Sequence, residues 1–156
     1  MAIRIATPAA DEDWADGRRL IEAYAASQNL DRCFEGLADE LARIDSEYGP
    51  PGGAFLLGYH HGEAVGCVGL RRYADGIGEM KRLYVDDAAR GLGLGAALTR
   101  GILAEARRLG YHRVVLDTLP SMSTAHALYR SLGFEETSAY RFNPVDGTLF
   151  MAITLA

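Results

Sequence analysis

The stretch RGLGLGAAL, residues 90–98, places glycine at 91, 93 and 95 directly behind an arginine and then turns apolar. Glycine weakens a helix start through its chain entropy. It earns such positions where backbone must approach a ligand closely or adopt unusual dihedrals. A helix N-terminus carries unpaired N–H groups and partial positive charge. The chemistry this pattern suits is phosphate binding on those N–H groups, with Arg90 adding charge-assisted bonds. The plainer alternative is a tight turn and helix start. A P-loop would need a Lys-Ser or Lys-Thr pair after the glycines, and Ala96-Ala97 stand there instead. A dinucleotide fingerprint fits Gly91, Gly93 and Ala96, with Asp117 near the expected distance. In that fold, however, the glycines come directly off a strand, and here residues 86–90 intervene. Lys81 and Arg82 also suit poorly a strand covered on both faces. Too little chain follows for the rest of a doubly wound sheet.

The surrounding pattern predicts the elements that hold this stretch. Residues 3–7 alternate as a strand, and Pro8 ends it. Acidic residues then open a helix carrying Trp14, Leu20, Ile21 and Tyr24. Phe34, Leu37, Leu41, Ile44 and Tyr48 recur at steps of three and four and predict a second helix, broken by GPPGG at 49–53. Three hairpin-linked strands are expected at 54–59, 63–73 and 78–85. A helix from the glycines to about Leu109 is stopped by Gly110, and a strand follows at 113–118. A helix over 123–133 is capped by Ser123 or Thr124 and closed by Gly133. Strands at 134–142 and 148–155 flank a turn. The order β-αα-βββ-α-β-α-ββ is that of a single mixed α/β (α+β mixed-sheet) domain over residues 1–156. Each strand-helix-strand passage is expected to cross over in parallel, right-handed fashion.

With 156 residues and 49% hydrophobic content the chain can build a real core. Its net charge of −5 argues against nucleic acid as a partner. No leader-like segment and no apolar run long enough to span a bilayer is seen, so the expectation is a cytoplasmic protein with no membrane partner. Cys33 and Cys67 are too far apart for metal or redox spacing, and Cys67 reads as a buried apolar residue. No metal is expected. His60-His61 reads as a solvated hairpin tip, and His112 and His126 as surface residues.

At Arg90-x-x-Gly93-x-Gly95 the chain resembles the GNAT superfamily of N-acetyltransferases, whose acetyl-CoA motif reads Q/R-x-x-G-x-G/A. The segment GEMKRLYVDDAARGLGLGAAL (78–98) is similar to that family's fourth strand, loop and pyrophosphate helix. STAHALYRSLGF (123–134) is similar to its second motif, with Ala125, Leu128, Tyr129, Gly133 and Phe134 in register. The element order matches from Ile3 to the C-terminus. The resemblance implies a splayed central mixed sheet and acetyl-CoA as cosubstrate. It implies transfer to an amine of a small molecule or peptide in a ternary complex, and a homodimer as assembly. A non-catalytic acyl-CoA sensor on the same fold is the alternative.

The same resemblance implies roles residue by residue. Pyrophosphate would sit on Arg90, Gly91, Leu92, Gly93, Leu94, Gly95 and Ala96. The pantetheine arm would lie against the backbone of Leu83, Tyr84 and Val85, exposed by a bulge that re-aims backbone groups. Acetyl transfer needs a neutral amine, a polarised thioester carbonyl and a proton for the departing sulfur. The N–H of Leu83 is the implied oxyanion donor and Tyr129 the implied acid, a phenol with a pKa near ~10 being protonated at neutral pH. Tyr129 as a packed core ring is the alternative. Glu79 is the implied general base, through water, against a solvated strand-end charge or a partner of Lys81 or Arg82. Simple alternation would put Glu79, Lys81, Leu83 and Val85 on one face. Many family members carry an asparagine seven residues before the tyrosine; here it is Met122, so that contact is lost or falls to Ser121, Ser123 or Thr124. The acceptor region would draw on Trp14, Tyr24, Phe34, Arg71, Tyr73, Tyr140, Arg141, Phe142 and Asn143. The acidic balance favours cationic amines, whereas Arg71 and Arg141 suit a carboxylate-bearing acceptor.

Overall fold

The computed structural model describes residues 3–28, 36–143 and 145–155. The elements are β1 (Ile3–Ala6), α1 (Asp11–Gln28), α2 (Leu37–Ala42), α3 (Ile44–Glu47), β2 (Ala54–His60), β3 (Glu63–Ala74), β4 (Ile77–Val85), a short 3-10 turn (Asp87–Ala89), α4 (Leu94–Arg108), β5 (Arg113–Thr118), α5 (Ser123–Ser131), β6 (Glu135–Thr137) and β7 (Leu149–Thr154). One seven-stranded sheet runs β1-β2-β3-β4-β5-β7-β6. β4 and β5 pair in parallel across the α4 crossover. β7 inserts antiparallel between β5 and β6, so those two also run the same way.

Four expectations change. β1 and β2 are antiparallel neighbours despite the helices between them, because helices that run out and back return the chain in the opposite sense. The predicted second helix divides at Arg43 (φ −130°) into α2 and α3. The strand expected at 134–142 shrinks to β6, and the following chain leaves the sheet to bond with β3, β4 and β5 side chains. Met122, not Ser123 or Thr124, stands at the N-cap of α5, with no side-chain cap.

Strand alternation divides the core between the two faces. Leu56, Val68, Leu70 and Met80 pack with Leu94, Leu98 and Ile102 of α4. Phe55, Leu57 and Cys67 pack with Leu20, Ile21, Ile44 and Tyr48 of the α1–α3 side. Each fully buried leucine or isoleucine contributes roughly 1.5–3 kcal/mol, which fixes α4 and α1 on opposite sides of β4. The fit is tight at Gly69, where an added Cβ would lie 2.7 Å from the Tyr48 ring. That ring is fully buried and pinned by its hydroxyl, which donates to Glu40 at 2.7 Å. Gly69→Ala is therefore expected to cost about 1–3 kcal/mol, read by denaturant unfolding; an unchanged midpoint would mean the Tyr48 ring can shift.

β4 is the strand that makes room for a site. Lys81 pairs with Gly69 and Tyr84 with Cys67, so Arg82 and Leu83 together face the single residue Val68. Arg82 takes φ +64° in this bulge, and its carbonyl accepts from the Cys67 thiol at 3.3 Å. Parallel pairing with β5 covers only Ile77–Glu79, after which the strands part. The expected bulge and splay are thus present. The extra residue also breaks the predicted alternation. Leu83 and Val85 pack on the α4 side with Met80, while Tyr84 packs on the α1 side and the Arg82 side chain reaches Glu40 of α2.

Candidate active site

The glycine stretch builds the first half of the site. Gly93 is the N-cap of α4 at φ +80°, and Gly91 has φ +84°, a region side chains enter only with strain. The first helical bond runs from the N–H of Ala97 to Gly93 O. Among the described residues nothing accepts from the N–H groups of Leu94, Gly95 or Ala96, and no side chain caps them. A Cβ added at Gly91 or Gly93 would meet nothing within 4 Å, so the space before them is open. These groups face a slot of about 480 Å³ that continues along Leu83, Tyr84 and Val85 and is closed by Ser123, Thr124 and Leu128 of α5. Arg90 stands at its mouth, donating to Val85 O and paired with Asp87 at 3.0 Å. Bare N–H groups, positive φ and open volume fit a pyrophosphate with a narrow arm beyond it.

The second half lies on the far side of the bulge. A smaller chamber of about 50 Å³ is lined by Lys81, Arg82, Asp117, Tyr129, Arg141 and Asn143. Slot and chamber share Tyr24, Leu83 and Met122. Tyr129 is 5% exposed and packs at 5.6 Å from Phe134. Gly133 (φ +106°) ends the tyrosine's helix, and the N–H of Phe134 returns to Tyr129 O at 3.0 Å. Among the described residues nothing accepts from the Tyr129 hydroxyl. Burial, and to a lesser degree the nearby Tyr24 and the Asp117 carboxylate, push that phenol up, so it stays protonated. Met122, at the expected asparagine position, accepts from Tyr24 Oη at 3.5 Å and thus ties α5 to α1. Ser121, Ser123 and Thr124 line the slot beside it.

Glu79 lies behind the chamber wall rather than in it. It is 2% exposed. Its Oε1 accepts from Arg71 Nε at 3.0 Å, and its Oε2 accepts from the Tyr140 hydroxyl at 2.5 Å and lies 3.2 Å from Arg141 Nε. Burial raises its pKa, but Lys81, the Tyr140 hydroxyl, Arg71 and Arg141 together outweigh that and hold the carboxyl below its ordinary range. A carboxylate so placed is a strut for the β6–β7 loop and a weak proton acceptor. The partners weighed from sequence, Lys81 and Arg82, are not the ones it bonds. Arg141 also donates to Asp117 at 2.6 Å, Asn143 donates to Asp117 at 3.0 Å, and Tyr73 donates to Tyr140 O at 2.7 Å.

Of the other acceptor candidates, only Tyr24, Arg141 and Asn143 line the chamber. Arg71 is held by Glu47 and Glu79, Trp14 packs on Phe55, and Phe142 is 82% exposed. Phe34 and Cys33 lie outside the described residues. His126 is buried, with Nε2 2.9 Å from Leu119 O, which corrects its reading as a surface residue. Sequence reasoning did not place Lys81, Arg82 or Asp117 in the chamber wall; two basic residues beside Glu79 in β4 were the available signal. Among the described residues no metal-ligand cluster forms and no helix is long and apolar enough to cross a membrane.

A splayed mixed sheet with a bare helix N-terminus at the splay defines an acyltransferase of the GNAT type. The chain belongs to that family, the acetyltransferase (GNAT) family, whose model matches residues 14–134. It is 38% identical to an uncharacterised N-acetyltransferase of Schizosaccharomyces pombe over 93% of this chain and 90% of that one. It is 36% identical to the N-acetylaspartate synthetase of Homo sapiens over 78% of this chain, but spans only 38% of that protein. A GNAT acetyltransferase of Staphylococcus aureus superposes with TM-score 0.81 at 22% identity, covering 99% and 100% of the two chains. A Thermoplasma acidophilum N-acetyltransferase in complex with coenzyme A superposes with TM-score 0.73 at 18% identity, covering 99% of each.

Proposed function

We propose that this acetyltransferase uses acetyl-CoA and acetylates a primary amine of a small molecule or peptide by direct attack in a ternary complex. One observation carries the reading: the slot at the bare N-terminus of α4 meets the Tyr129 chamber at Leu83. Acetyl-CoA supplies the activated acetyl thioester. The N–H groups of Leu94, Gly95 and Ala96, joined by Arg90, hold its pyrophosphate. Leu83, Tyr84 and Val85 line the arm, and the Leu83 N–H donates to the carbonyl oxygen as negative charge grows there. The amine nitrogen bonds to the carbonyl carbon while the C–S bond breaks. Tyr129 gives its proton to sulfur, and the proton shed by the amine passes through water and restores the phenol. Glu79 keeps the loop that closes the chamber in place; acting as base would require it to release the hydrogen bond of Arg71 or of Tyr140. Similarity to the N-acetylaspartate synthetase of Homo sapiens favours an amino acid among small acceptors. The family likeness extends the proposal to a cytoplasmic enzyme that pairs as a homodimer.

Calorimetric titration with acetyl-CoA, with NADH as the control, tests the reading. One-to-one micromolar binding of acetyl-CoA alone is expected. Binding of NADH but not acetyl-CoA would transfer the glycines to a dinucleotide, and binding of neither would leave them a tight turn.

A further inference from the structure

Behind and around the chamber stand four cations and four carboxylates. Arg82 pairs with Glu40 at 2.7 Å, Arg71 with Glu47 at 2.5 Å and Glu79 at 3.0 Å, and Arg141 with Asp117 at 2.6 Å and Glu79 at 3.2 Å. Lys81 completes the group, and among the described residues its ammonium has no hydrogen-bond acceptor or carboxylate within ion-pair distance. It nevertheless lines the chamber, two residues before Leu83, where chamber and slot join. The arginines that sequence alone offered for a carboxylate, Arg71 and Arg141, are already taken by the protein's own carboxylates.

Resting on the acetyltransferase reading, we infer that Lys81 determines acceptor specificity: its ammonium holds a carboxylate of a small amino acid whose amine points toward Leu83. The chamber is the smaller of the two spaces, which suits a small acceptor. A half-buried ammonium without a partner is costly, and an anionic ligand removes that cost. A polyamine would add a second unpaired cation to the same space, which is discrimination by repulsion.

The inference has a pH signature. Burial, and then Arg82, Arg141 and Arg71, outweigh the opposing pull of Glu79 and push the Lys81 pKa down to about 8. The other titratable groups around Lys81 are Asp117 of β5, Tyr24 of α1 and Tyr129 of α5, which line the chamber, and Glu40 of α2 and Tyr140 of the β6–β7 loop behind its wall. Carboxylate binding needs the protonated lysine, so acceptor KM, taken relative to that of Lys81→Arg at the same pH to cancel the acceptor's own titration, should be flat below about pH 8 and rise above it.

The test uses L-aspartate, L-methionine and L-phenylalanine, each beside its α-carboxamide, with spermidine as cationic acceptor. Release of the CoA thiol is followed in the wild type, Lys81→Met and Lys81→Arg. The wild type should prefer at least one acid over its amide by about tenfold or more in kcat/KM. Lys81→Met keeps the aliphatic stem and should raise acceptor KM about 10- to 100-fold, with kcat within about threefold and acetyl-CoA affinity unchanged. Lys81→Arg should restore KM to within about tenfold of wild type and abolish the rise above pH 8. Equal or better use of amides or spermidine, an unchanged KM in Lys81→Met, or no turnover of any acid by protein that binds acetyl-CoA would overturn the inference and leave the cofactor reading standing. Failure to bind acetyl-CoA would remove both.

Discussion

Tyr129→Phe is expected to lower kcat by about 100-fold or more while leaving both KM values and the melting temperature close to wild type. The change removes one oxygen from a ring that is 5% exposed and packed on Phe134. Among the described residues that oxygen donates to nothing, so the fold loses no hydrogen bond and packing is preserved. A structural tyrosine at this position would show the reverse: lower stability with turnover kept. Thiol release gives kcat and scanning calorimetry gives the melting temperature. A kcat within threefold of wild type would sink the acid role. The burial that pushes the phenol up also means that Tyr129 should not itself impose an alkaline loss of kcat in the ordinary assay range.

Glu40→Ala is expected to destabilise the protein by about 3–5 kcal/mol, because it removes the buried carboxylate that accepts two hydrogen bonds from Arg82. The two side chains are 8% and 10% exposed, and both Arg82 Nε and an Arg82 terminal nitrogen donate to Glu40, at 3.0 and 2.7 Å. Glu40 also accepts from Tyr48. The lost pair sits on the bulge, so acetyl-CoA affinity should fall along with stability. At this chain length the loss corresponds to about 6–20 °C in melting temperature. Burial raises the Glu40 pKa, but hydrogen bonds and charge from Arg82, then Tyr48 and Lys81, bring it below its ordinary value of 4.5. A carboxylate depressed in the folded state adds stability in full above that ordinary value and loses it as pH falls through the folded pKa. Wild-type stability should therefore decline below about pH 4.5, and Glu40→Ala should flatten part of that decline. An alanine variant melting within 2 °C of wild type would show that Arg82 is held by other partners.

The glycine stretch, the α5 motif and the order of the elements were legible in the sequence, because each is local. Positive φ at Gly93, apolar spacing along α4 and the stop at Gly133 are settled within a few residues of themselves. The bulge was legible only through family resemblance, and its consequence was not. One extra residue at Arg82–Leu83 moves Leu83 and Val85 to the α4 side, where alternation put them with Glu79 and Lys81. The state of each charged side chain was decided by tertiary structure alone. Arg82 meets a partner 42 residues away and Glu79 one 61 residues away, and bonds such as Tyr140 to Glu79 hold out of the sheet a loop whose residue pattern is that of a strand. Sequence by itself therefore determined where the bare helix N-terminus lies and which tyrosine lines the second chamber. Only the folded sheet decided which cations around the chamber are paired with carboxylates, since charge pairing acts across space and leaves no periodicity along the chain.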